Sequence, residues 1–100
     1  MTEYWIYDRI INKRITAKSL NDARAKVMKS YGKTADELTS VKIATGKNDC
    51  SLGELRYDPF YGWKWVAIER AHKTILRYTS AYLVNKDGSL GKKLGNAYRI

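Results

Sequence analysis

The sequence predicts an α+β domain. A small, mostly antiparallel sheet of about 4–6 strands in hairpins is expected, with one main α-helix, about residues 20–31, packed on one face. Three observations lead there. Segments rich in β-branched and aromatic residues alternate in polarity, one stretch near residue 20 carries a capped helical stripe, and Asp87-Gly88 marks a hairpin near the end.

Residues 3–18, EYWIYDRIINKRITAK, set Tyr4 and Ile6 against Trp5 and Tyr7, the period of a strand. Asn12 breaks the segment, so INKR is expected to turn one strand back on another. Ser19 is a natural N-cap, and Asp22 suits the positive end of the helix dipole. Leu20, Ala23, Val27, Met28 and Tyr31 share one helical stripe, Lys26 and Lys29 face away, and Gly32 offers a left-handed stop. TADE, with Thr34 and Glu37, reads as a second capping box ahead of a helical stub.

SVKIATG reads as a strand closed by the turn GKND. LGELRYD and GWKWVAIE read as two strands joined through PFY in a loop of about five residues, where Pro59 belongs because it has no donor for a ladder. From Trp63 to Val84 two periods compete. Trp65, Ile68, His72, Ile75, Leu76, Thr79, Tyr82 and Leu83 also fit a helix, which would align Arg70, Lys73 and Arg77 in a basic stripe. The many Thr, Tyr, Val, Ile and Trp residues favour strands over that helix, since these side chains lose rotamer freedom in a helix. Between Tyr82–Val84 and Leu90–Leu94, Asp87-Gly88 is a two-residue hairpin signal in which glycine accepts positive φ.

One hundred residues fit a single compact domain, 1–100, with one modest core and little room for a large catalytic pocket. Hydrophobic residues at 44% and charged residues at 29% are ordinary globular values and argue against disorder. Apolar runs are short, so no membrane span is expected, and residues 1–10 do not read as a secretory leader. The lone Cys50 cannot form an internal disulfide, which suits a reducing cytoplasm, the host's if the protein is phage-encoded.

Little catalytic chemistry is on offer. His72 is the only histidine and has no nucleophile context, Cys50 and His72 make no metal set, and Gly88, Gly91 and Gly95 fit no phosphate-cradling loop. No catalytic, metal-ligating or cofactor-binding residue is assigned, and neither enzymatic activity nor a small-molecule substrate is expected. A membrane partner is not expected either, because the helix carries only Lys26, Lys29 and Lys33 on its polar face without bulky aromatics opposite.

Charge points to a partner. Nineteen Lys and Arg against ten Asp and Glu give a net +9, which attracts phosphate backbones or acidic proteins. Cations interleave with aromatics in RYDPFYGWKW, KTILRYTSAY and GKKLGNAYRI. Bases stack on such rings while Lys and Arg follow the backbone. The expected surface is Arg56, Tyr57, Tyr61, Trp63, Lys64, Lys92, Lys93 and Arg99, binding DNA or RNA. Aromatics on a small sheet fill the core first, so Trp5, Ile6 or Trp65 are expected inside and some of Tyr57, Tyr61 and Trp63 outside.

The alternative is a protein partner, since aromatic patches with Arg are typical interface centres. Use of Lys, Asn, Ile and Tyr has the style of AT-rich bacterial or phage genomes. That suits a phage or mobile-element accessory protein that inhibits an acidic or nucleic-acid-binding host protein, such as a defence nuclease complex, in the manner of an anti-CRISPR. The opening hairpin and helix resemble, in outline only, the arm-type DNA-binding domains of integrases; no diagnostic residue carries the likeness further.

Overall fold

The computed structural model describes residues 1–8, 11–32, 39–45, 51–72 and 75–96. In chain order they form β1 (Thr2–Tyr7), β2 (Asn12–Ala17), α1 (Leu20–Tyr31), β3 (Ser40–Ala44), β4 (Ser51–Asp58), β5 (Gly62–His72), β6 (Ile75–Val84) and β7 (Leu90–Asn96). One antiparallel sheet of seven strands runs β2-β1-β3-β4-β5-β6-β7. That exceeds the 4–6 strands expected. The ambiguous stretch after Trp63 resolves into two long strands, and each terminal hairpin contributes its outer strand as well.

α1 begins as its residues require. The Ser19 hydroxyl accepts from the Asp22 N–H at 3.2 Å, and the Asp22 carboxylate accepts from the Lys18 N–H at 2.9 Å. The first bond satisfies a donor that a helix start leaves open, and the second holds the chain that leads into the helix. Gly32 corrects one expectation: its φ of −58° is right-handed, so the helix does not end in a left-handed glycine.

The expected hairpins form, but their turns are corrected. INKR is not the first turn, since Asn12, Lys13 and Arg14 belong to β2, and the other two loops differ in length from those expected. Asn12 stands opposite Tyr7, so the first turn precedes it, and the Asp8 carboxylate closes that turn by accepting from the Ile11 N–H at 2.6 Å. Asp58 faces Gly62 across Pro59-Phe60-Tyr61, a loop of three residues rather than five. The last hairpin turns through Asn85–Ser89, closed by the Asn85 N–H to the Ser89 carbonyl at 2.9 Å, so its loop is five residues rather than two. TADE, GKND, Cys50, Lys33, Lys73 and Arg99 lie outside the described residues.

Cross-strand partners share a face, so the pairs Ile6↔Ile43, Val41↔Leu55, Leu55↔Trp65 and Trp65↔Tyr82 define a core face. Tyr4, Ile6, Ala17, Val41, Ile43, Leu55 and Trp65 form one buried cluster with Ala23, Val27 and Met28 of α1. The expected helical stripe thus supplies the core residues it contains. Sequence reading missed Arg24, which is 3% exposed. Its Nε donates to the Gly88 carbonyl at 2.7 Å, and its guanidinium lies 4.8 Å from the centre of the Trp65 ring. The β6–β7 turn is thereby tied to the helix.

Candidate nucleic-acid interface

Neighbours along a strand project to opposite faces. Tyr57 and Trp63 pair with each other two residues beyond Leu55 and before Trp65, so both lie on the core face. Their rings meet edge to face with centroids 5.4 Å apart. Arg56 and Lys64 also pair with each other, and they stand on the second face. Lys93 stands opposite Tyr82 on the core side, which leaves Lys92 on the other. Tyr61 sits at the tip of the β4–β5 turn beside Phe60, which is 83% exposed. The expected surface is therefore divided: Arg56, Lys64 and Lys92 on one face, Tyr57, Trp63 and Lys93 on the other. Alternation made aromatics and cations adjacent in sequence, and the same alternation separates them in space.

Two of those cations are already engaged. Lys64 is buried, with its Nζ 3.1 Å from the Asp58 carboxylate, and Arg56 Nε lies 3.4 Å from Glu54 Oε1. Glu54 is buried as well and accepts from the Ser40 hydroxyl. Tyr78 joins this network because of an irregularity between β5 and β6. Val66 pairs with Ala81 but Ile68 pairs with Tyr78, so β6 carries an extra residue there. That residue reverses the alternation and sets Tyr78 on the second face, where the Arg56 guanidinium lies 5.3 Å from its ring centre. These groups border a hollow of about 580 Å³ lined by Ser40, Glu54, Arg56, Asp58 and Lys64 among others. Its two acids and two bases answer each other.

The network carries a pH dependence. Burial pushes the Glu54 carboxyl up, but the Ser40 hydroxyl, the Arg56 charge and hydrogen bonds from Arg56 and Tyr78 together hold it below its ordinary range. A carboxyl whose pKa is lower in the folded state stabilises the fold above its unfolded pKa, about 4.3, and loses that contribution as pH falls towards the folded value. Urea midpoints are therefore expected to drop below about pH 4.3 more steeply in the wild type than in Glu54→Gln. Parallel curves would show that Glu54 is not the group involved.

The second face has a feature that the segment-by-segment reading missed. Arg14 lies 4.8 Å from the Trp5 ring centre, and Lys42 lies 5.7 Å from that of Tyr7. With Arg56 on Tyr78, three cation–ring pairs cross this face, and a fourth, Lys64 on Tyr61 at 5.7 Å, marks its rim. Pairing places Trp5 opposite Arg14 and Tyr7 opposite Lys42. Trp5 is half-buried here rather than in the core, whereas Ile6 and Trp65 are inside as expected. The signal was present: if Tyr4 and Ile6 face the core, then Trp5 and Tyr7 face away.

Cations do not form one stripe. Among the described residues, Lys42 and Lys92 belong to the second face, while Lys13 and Lys93 belong to the core side and Lys29 and Lys86 to the helix and the last turn. No group of three or more His, Cys, Asp or Glu converges among the described residues, and no described helix is long and apolar enough to cross a membrane. Comparison with protein-family models, with curated proteins and with solved structures gives no match.

Proposed function

We propose that this protein binds nucleic acid, without chemistry of its own, through the second face of its sheet. In this reading α1 lies against the core face and leaves the opposite one to the ligand. The observation that carries the proposal is the set of cation–ring pairs Arg14 on Trp5, Lys42 on Tyr7 and Arg56 on Tyr78. A ring beside a cation offers both contacts that an unpaired strand needs, a stacking surface for a base and a charge for the adjoining phosphate. The net charge of +9 draws any polyanion, but its spread over both sides means that charge alone does not choose the surface.

The weight falls on Trp5, Tyr7, Arg14 and Lys42, with Tyr61, Tyr78 and Lys92 extending the face. Arg14, Arg56 and Lys64 contribute only as far as Glu3, Glu54 and Asp58 release them. Single strands are favoured over duplex because the rings lie on a broad sheet, and among the described residues no helix is placed to read a groove.

Fluorescence anisotropy at two salt concentrations, with single-stranded and duplex DNA and RNA, tests this. Trp5→Ala is expected to cost about 1–3 kcal/mol with single strands and much less with duplex. Lys42→Ala should reduce the salt slope by about 0.7, the value for one phosphate contact on a single strand. Lys93→Ala, on the core side, should leave single-strand affinity nearly unchanged. Absence of binding at low salt would overturn the proposal.

A further inference from the structure

The hollow between α1 and the last turn has a different character from the sheet face. It measures about 480 Å³, enough for one large side chain with its flanking backbone, and its lining includes Ala25, Met28 and Trp63. Lys26, Lys29 and Lys86 also line it, with Asp22 as the one acid. Asp22 is already engaged, 3.6 Å from Lys26, which also donates to the Thr16 carbonyl at 2.8 Å. Lys29 and Lys86 have no ion-pair partner among the described residues and are exposed.

An apolar pocket with two such lysines, Lys29 and Lys86, at its rim calls for an apolar group flanked by negative charge. We propose that this groove docks an acidic protein segment: one aromatic or long aliphatic side chain enters between Met28 and Trp63, and carboxylates on either side of it meet Lys29 and Lys86. Methionine adapts to side chains of different shape, and the half-buried Trp63 ring offers a rigid wall. A polynucleotide is disfavoured in this place, because the lysines surround a single cavity instead of following a track and only one ring lines it. The inference does not depend on the nucleic-acid reading, since it concerns other residues on another side of the molecule.

The probe is a seven-residue synthetic peptide with a central Phe between two pairs of Glu, titrated into the full-length ¹⁵N-labelled protein. Shifts are expected at the amides of Ala25, Met28, Lys29 and Lys86 and at the Trp63 indole N–H. They should be lost with a peptide in which Gln replaces Glu, and with one in which Ala replaces Phe. The surface variant K29E/K86E should bind the acidic peptide about tenfold more weakly and accept a Lys-flanked one, because two attractive pairs become repulsive. Its affinity for oligonucleotides through Trp5 and Tyr7 should change far less, which separates the two proposals. The inference is overturned if the peptide shifts nothing at millimolar concentration, if the shifts fall on the Trp5 face, or if a single-stranded oligonucleotide moves the groove residues more than the peptide does.

Discussion

Gly88→Val is expected to lower the free energy of unfolding by about 4 kcal/mol, a large part of the stability of a domain this size. Gly88 has φ +86°, where a β-branched residue is strained by about 1–2 kcal/mol. The larger cost comes from its surroundings. A Cβ on Gly88 would stand 1.8 Å from the Asn21 carbonyl oxygen and 2.8 Å from the Ala25 nitrogen, both helix backbone that cannot move aside locally. The turn would have to leave α1 and break the bond from Arg24 Nε to the Gly88 carbonyl, leaving a buried guanidinium short of an acceptor, worth about 1.5–3 kcal/mol. Gly95 supplies the control. Its φ is also positive, at +131°, but nothing lies within 4 Å of its Cβ position, so Gly95→Ala should cost only about 1 kcal/mol. Urea unfolding of both variants measures the difference. Equal small losses would mean that the turn is not held against the helix.

Gly53→Val is expected to cost about 3 kcal/mol for a reason of space alone. The Trp65 ring lies across Gly53, and a Cβ would come within 2.2 Å of its Cζ2. That indole is 3% exposed and has the Arg24 guanidinium over it, so it has nowhere to swing without uncovering core. Gly53, Trp65, Arg24 and Gly88 thus form one chain of contacts from the middle of the sheet to the last turn. A double-mutant cycle checks it: Gly53→Val should cost distinctly less on a Trp65→Leu background than on the wild type. Additive losses would show that the ring is not what resists the valine.

Most of the architecture was legible because it rests on local rules. Ser19, the stripe from Leu20 to Tyr31, the alternation of Tyr4 and Ile6 with Trp5 and Tyr7, and the turns at Pro59 and Gly88 each report a backbone preference within a few residues. β-branched and aromatic content favoured strand over helix for Trp63–Val84, where periodicity was divided, and the structure has two strands there. The candidate surface was far less legible. RYDPFYGWKW draws attention as a cluster, yet a strand sends Arg56 and Tyr57 to opposite faces, as it does Trp63 and Lys64. Applying the alternation used for β1 to this segment would have divided it from sequence alone.

What the sequence by itself determined is the helix, the strand segments short of their full number and the polarity of most of their faces, because the helical and strand periods and the turn residues act over a few positions. Only the tertiary structure decided which groups meet. The strand order brings Arg14 and Lys42 to either side of Trp5 and Tyr7, the irregularity between Val66 and Ile68 sets Tyr78 on Arg56, and Arg24 reaches 64 residues along the chain to Gly88. These meetings depend on strand register and on contacts between segments distant in the chain, and a register shift of one residue would exchange every face of a strand. The apolar area buried by the whole core selects that register, and this is a sum over distant residues that no short window of the chain contains.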